Sequence, residues 1–485
     1  ETKNAAATDD DKEEEEEDDD DDDDENEEDD LMDTVEIESL DLLEWSSICE
    51  QVFQFASTPM GKQVCIQARI PFGRNCQESE KLLQQTASAF CLSSDLDFSE
   101  IVDITDILSS ARSNFVCSIK ELCIVEKTLS AVRRLYKQLE CSVPRKTESS
   151  YEMNVVDRKE VHLHFSPLMS IMENSNFCAS LVRELKESLD NATLSILDTA
   201  SPSLLGIRMS RRGNTKALED LLLEIGEKVV ASGGMDSIMI TTRRARQCIA
   251  VRASHKHLLP GGLVLDFSNS GATVFMEPKA ALELNNNEVK LCAQEKAEEF
   301  AILERLTKKL ADESEDIWNL LQKVTSLDLA CAKAGHARWL QAVRPVFYSD
   351  FLSGKGEKCG VKSNNSTSDF SVDIEGLCHP LLLGPALMDN KNEGGTSLPT
   401  PVDFKVKSGV RVIVISGPNT GGKTASMKTL GVATLMAKAG LFLPAKGNAI
   451  LPWFDKVLAD IGDSQVKASD LHFLFATVSD FSYPQ

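Results

Sequence analysis

Three absences bound this chain of 485 residues. No apolar run approaches the 18 or so residues a helix needs to cross a bilayer, so no membrane span is expected. The thirteen cysteines include no C-x-x-C pair, and the closest two are Cys117 and Cys123. Zinc ligation and a disulfide framework both lack their spacing, which leaves a reducing, intracellular compartment as the expectation. Glycine and proline are both missing from Glu288 to Ala334, where Phe300, Leu303, Leu306, Leu310, Ile317, Leu321 and Val324 form one apolar stripe. As a single helix this stretch is about 70 Å long at 1.5 Å per residue. The acidic patch Asp312–Asp316 offers a place to divide it in two. Either way it reads as a lever or coiled-coil element.

What is abundant is negative charge, and it is local. The net charge is −26, but residues 9–30 alone hold 20 acidic side chains against Lys12, which leaves −7 for residues 31–485. Such a run repels itself and has nothing apolar to bury, so disorder is expected. It reads either as a solvated extension or as a polyanion-like tail that competes for basic surfaces. Residues 31–140 and 160–230 carry helical periodicity, with Pro59-Met60-Gly61 closing the first helix and Ser201-Pro202 breaking the second region. Between residues 235 and 278, short β-type runs alternate with Gly233-Gly234 and Pro260-Gly261-Gly262, which predicts a small antiparallel sheet. Residues 353–372 and 389–401 read as loops.

The motif with the most chemistry is Gly417-Pro418-Asn419-Thr420-Gly421-Gly422-Lys423-Thr424, a complete G-x-x-x-x-G-K-[ST] phosphate loop. Val412-Ile413-Val414-Ile415 predicts a buried strand leading into it. Residues 425–439 predict a helix that Gly440 stops. In that context the glycines let backbone N–H groups close around phosphate oxygens, and the helix start adds its partial positive charge. Lys423 is expected on the β- and γ-phosphates, and the Thr424 hydroxyl on Mg²⁺. ATP and Mg²⁺ are therefore the implied cofactors. Hydrolysis needs a further carboxylate. By spacing alone, Asp460 after Val457-Leu458-Ala459 is either that group or the cap of a turn before Gly462.

With its flanks, the loop segment VIVISGPNTGGKTASMKTLGVATLMAKAGLFLPA (412–445) is similar to the second type of MutS protein. So are DTASPSLLGIR (198–208), SGATVFMEPKAALELNN (270–286), LDLACAKAGHA (327–337) and CHPLL (378–382), although Cys378 stands where the family has arginine. The resemblance runs over about residues 35–465. It implies an α+β multi-domain protein, with a helical core and lever region and a small β-sheet. An incomplete P-loop, ABC-type α/β ATPase domain follows. The implied segments are an acidic tail (1–30), a helical core (31–230), a β-rich subdomain (231–287), a lever or clamp helix (288–345), a linker (346–401), the amino-terminal part of the ATPase domain (402–465) and a divergent tail (466–485). It also implies a dimeric ATPase whose levers and clamps close on DNA. In it Gln465 belongs to the Q-loop, near the γ-phosphate, and Asp460 is not the Walker-B carboxylate. Residues 466–485 match neither the ABC signature nor Walker B, so a truncated chain with weak ATP binding and no turnover is expected.

Around two β runs, Arg243, Arg244, Arg246, Arg252 and Lys256 form a candidate DNA-phosphate surface. The alternative places them as solvated positions facing acidic neighbours. Phe98-Ser99-Glu100 matches a mismatch-reading wedge in letters only, because no flanking domain accompanies it. Branched or recombination DNA is thus the expected target, with restraint of recombination the implied role. The resemblance also leaves open a ribosome-associated ATPase, or a dimerising remnant without enzymatic activity. It hints at a plastid rather than a nucleus.

Overall fold

The computed structural model describes residues 34–92, 94–142, 165–348, 370–389, 398–416, 418, 421–447, 449–460 and 473–477. The acidic run 9–30 and the segment 478–485 lie outside them. The helices are α1 Trp45–Phe53, α2 Pro59–Ile66, α3 Cys76–Phe90, α4 Thr105–Arg112, α5 Ile119–Ser142, α6 Ala179–Ser188, α7 Pro202–Ala231, α8 Leu282–Asp312, α9 Ser314–Trp339, α10 Pro380–Asp389 and α11 Lys423–Lys438. The strands are β1 Leu189–Asp190, β2 Ser195–Ile196, β3 Ile240–Arg243, β4 Arg246–Arg252, β5 Leu263–Phe267, β6 Thr273–Glu277, β7 Val346–Phe347, β8 Phe370–Leu377, β9 Val402–Lys407, β10 Ala449–Leu451, β11 Lys456–Asp460 and β12 Phe473–Thr477. The class is mixed helix and sheet. Among the described residues no helix is long and apolar enough to cross a membrane.

Two compact units divide the chain. The first gathers the described residues within Glu1–Asp95, Ser142–Ile171 and Ser326–Gln485, the second those within Leu96–Cys141 and Met172–Thr325.

In the first unit, helices and a mixed sheet of order β7-β10-β8-β9 share one core. β10 runs parallel to β7 and antiparallel to β8, which is antiparallel to β9. Trp45, Ile48 and Val52 of α1, Ile374 of β8 and Val432 and Met436 of α11 meet in that core. The segment Pro59-Met60-Gly61 begins a helix rather than ending one. Thr58 accepts the Gly61 N–H at 2.9 Å and Pro59 takes the first helical position. Proline costs nothing there, because that N–H has no intrahelical partner in any case. The loop expected over 353–372 ends earlier than predicted, since residues 370–372 pair with β9 as the start of β8.

The second unit is built on α7 and α8, each about 45 Å long at 1.5 Å per residue. They lie antiparallel: Arg208 reaches Glu295 and Glu299, whereas Arg211, further along α7, reaches Glu288 as well as Glu295. Ser201 caps α7 by accepting the Ser203 N–H, with Pro202 again in the first position. The long glycine-free stretch is two helices, because Glu313 leaves helical geometry (φ −93°, ψ 4°) and Ser314 restarts it. Four antiparallel strands in the order β3-β4-β6-β5 lay Ile249, Val251, Val274 and Met276 against Leu218, Leu222 and Val229 of α7. This sheet lies within the predicted bounds.

Candidate nucleotide-binding site

The site forms where α11 begins. Gly422 occupies the cap position with φ 76° and ψ 17°, a left-handed conformation that favours glycine. Glycine has no side chain of its own to cap the helix, and the first turn holds no acidic residue. Nothing negative in that turn competes with an anion at the positive end of the helix dipole. Just before the cap, the Gly421 N–H donates to the Pro418 carbonyl at 2.9 Å. A Cβ on Gly421 would stand 3.1 Å from that same carbonyl oxygen, so the turn is too tight for a larger residue without adjustment. Lys423 and Thr424 follow in the first turn, both half-buried. Gly417, Asn419, Thr420 and Gln465 lie outside the described residues.

The run before the loop departs from expectation. Residues 411–416 form no strand. Val412, Ile413, Val414 and Ile415 are 76%, 53%, 85% and 39% exposed instead of buried. A strand exists only where a neighbour completes its hydrogen-bond ladder, and no described strand pairs with this run. β-branched composition alone cannot supply that partner. Asp460 closes β11, which pairs antiparallel with β12, and its side chain is exposed.

At its other end α11 is closed firmly. Leu441 N–H donates to Met436 O at 2.8 Å and Gly440 N–H to Ala437 O at 3.1 Å, with Gly440 at φ 76°. This paired 6→1 and 5→2 arrangement satisfies helix carbonyls that would otherwise be orphaned.

The carboxy-terminal part of the chain, residues 413–478, matches the family model of MutS domain V. The chain is 32% identical to the protein named Endonuclease MutS2 of Synechocystis sp. over 89% of its own length and 47% of that relative. To the Putative endonuclease MutS2 of Bacillus subtilis it is 30% identical over 88% of its length and 48% of the relative. The Endonuclease MutS2 of Thermomicrobium roseum shares 36% identity over 56% of this chain. The chain belongs to the MutS family. It spans about half the length of the curated MutS relatives it matches.

On this MutS chain the five basic candidates sit on or beside the small sheet of the second unit, and several already have partners. Arg243 lies 4.5 Å over the Phe275 ring and 3.4 Å from Asp266. Arg246 binds the fully buried Glu277 and also Asn286, which ties the β3–β4 hairpin to the start of α8. Arg252 pairs with Asp236 at 2.6 Å. Arg244 and Lys256 are exposed, as Arg252 is, but are in no ion pair among the described residues; one lies at the hairpin tip and one in the turn Ala253–Leu258. The tip is unusual: Arg244 and Ala245 both have positive φ, 50° and 60°, where a two-residue hairpin normally uses Asn-Gly. Phe98 is buried and Glu100 pairs with Arg134, so that triplet presents no wedge.

The family segment 327–337 places three polar side chains in the first unit's interior that periodicity did not single out. Asp328 accepts from the Ser57 and Thr58 N–H groups at 3.0 and 2.8 Å and from the Thr58 hydroxyl at 2.6 Å. Burial pushes its carboxyl above the usual aspartate range, against the lowering effect of those bonds. His336 shares a 3.1 Å hydrogen bond with the Gln51 side-chain oxygen, and burial pulls its imidazole down to about 4. The third, Lys333, donates to Ala439 O at 2.7 Å. Their signal in sequence was three polar residues at spacings of five and three within the otherwise small or apolar segment 327–337.

Proposed function

We propose that this chain binds ATP with Mg²⁺ through its phosphate loop and binds DNA in the manner of a MutS-type ATPase. The observation carrying the nucleotide reading is the glycine-built start of α11. A left-handed glycine and a sterically tight glycine precede Lys423 and Thr424, with no acid in the first turn. Bound Mg²⁺ would supply positive charge against the phosphates, and the Thr424 hydroxyl would hold it. Lys423 would reach the outer phosphates as a point charge. Titration with ATP and Mg²⁺ tests this directly. Saturable binding abolished by Lys423→Ala supports it, and no binding to folded wild-type chain refutes it.

For DNA, the supporting features are Arg244 and Lys256, exposed cations that can contact phosphate without first breaking an ion pair seen here. Among the described residues no base-reading module accompanies them, so recognition is by backbone charge and DNA shape, and branched or recombination structures are the proposed targets. Filter binding compares the substrates: retention of branched over linear DNA that falls steeply with salt supports the reading. Equal, salt-insensitive retention removes it.

A further inference from the structure

The orientation of α11 is set at the end away from the phosphate loop. Its buried side chains are Thr429 and the run Gly431–Ala437, while residues 423–428 are only half-buried or exposed. At the buried end two side chains from other helices grip successive backbone carbonyls. Lys333 of α9 donates to Ala439 O at 2.7 Å, and Thr86 of α3 donates to Gly440 O at 2.7 Å. Both residues are buried, Lys333 at 3% exposure and Thr86 at none. Gly440 packs so closely on α3 that a Cβ there would come within 2.6 Å of the Leu82 Cβ. The ammonium faces the negative end of the helix dipole. Among the described residues no carboxylate forms an ion pair with it; the titratable groups acting on it are the Cys65 and Cys49 thiols of α2 and α1.

We propose that Lys333 and Thr86 are positioning residues for the nucleotide site: together they clamp the two carbonyls that close α11, those of Ala439 and Gly440, and so aim its phosphate-binding start. A helix of 16 residues is about 24 Å long, and it moves as a stiff body. A tilt of about 5° at the clamp therefore displaces the loop by about 2 Å over that length. Such a shift is enough to spoil hydrogen bonds that tolerate a few tenths of an ångström.

The inference rests on the ATP-binding reading above, and the experiment separates the two. ATP affinity is measured well below the unfolding temperature for wild type, Lys423→Ala, Lys333→Met, Thr86→Val and Thr86→Ser, with the melting temperature of each recorded. The expected result is about tenfold weaker binding for Lys333→Met and for Thr86→Val. Thr86→Ser, which keeps the hydroxyl, stays near wild type. A purely structural role lowers the melting temperature but leaves the affinity of the folded fraction unmoved, and that result overturns the proposal. Should Lys333→Met fail to fold, the Thr86 pair decides alone: equal affinities for Val and Ser overturn it. If wild type itself binds no ATP, the nucleotide reading fails, and this proposal fails with it.

Discussion

Replacing Lys333 by methionine changes how stability responds to pH, and the sign follows from the structure. Burial pulls the Lys333 ammonium from its ordinary 10.5 down to about 8, with the Cys65 and Cys49 thiols acting in the opposite direction. Between those two pH values the unfolded chain holds a proton that the folded chain has released. Unfolding then takes up a proton, so stability rises with pH across that window. The gap corresponds to about 3 kcal/mol at 1.36 kcal/mol per unit. At pH 7 both states are charged and the wild type carries that cost in full, offset by the hydrogen bond to Ala439 O at the helix end. Methionine removes the cost and the bond together, so the two proteins should differ by only about 1 kcal/mol there. At pH 10 the wild type no longer carries most of the cost, while the variant still leaves the Ala439 carbonyl without its donor. The stability gap in favour of wild type therefore grows by about 3 kcal/mol from below pH 8 to above pH 10. Denaturant unfolding at four pH values measures it, and other titrations largely cancel in the difference. A gap that stays flat from pH 7 to 10.5 refutes the reasoning.

Other perturbations give equally definite outcomes. Arg208→Met removes bonds to Asp198, Glu295, Glu299 and the Ile196 carbonyl from a side chain only 16% exposed, and should destabilise by about 3 kcal/mol in urea unfolding. Arg212→Ala, whose partner Asp198 is shared and whose side chain is 68% exposed, should cost less than about 1 kcal/mol in the same assay. Gly440→Ala forces a positive φ on alanine and a clash with Leu82, so a loss of at least about 2 kcal/mol is expected, visible as a drop in melting temperature. Arg244→Gly relieves a left-handed arginine and should raise stability by about 1 kcal/mol while lowering the salt slope of DNA binding by about one phosphate contact. By contrast, Arg246→Ala strips the partner from buried Glu277 and should lower stability more than it lowers DNA affinity.

Several parts of the fold were readable because their signals are local. The α11 helix shows its period, its glycine start and its Gly440 stop within a single stretch of chain. The antiparallel sheet announces itself through short β runs separated by glycine pairs. Pro59 was misread for an equally local reason, since proline both follows and precedes helices, and only the Thr58 cap bond distinguishes the two. The basic candidates were read as a group because residues close in sequence share a charge. Their division into ion-paired and unpaired members depends on Asp236, Asp266 and Glu277, which lie elsewhere along the chain.

Sequence by itself determined the phosphate-loop motif, the helix that carries it and the resemblance to MutS proteins, because each is written in contiguous residues and short-range backbone preference. Tertiary structure alone decided which polar groups became internal. Lys333 and Asp328 are ordinary letters on a helix until the Ala439 carbonyl and Thr58 arrive from distant segments, the one accepting from Lys333 and the other donating to Asp328. It also decided that Val412–Ile415 remains outside any sheet. Hydrogen bonding within a helix is complete inside one segment, whereas a strand depends on a neighbour that its own residues cannot specify.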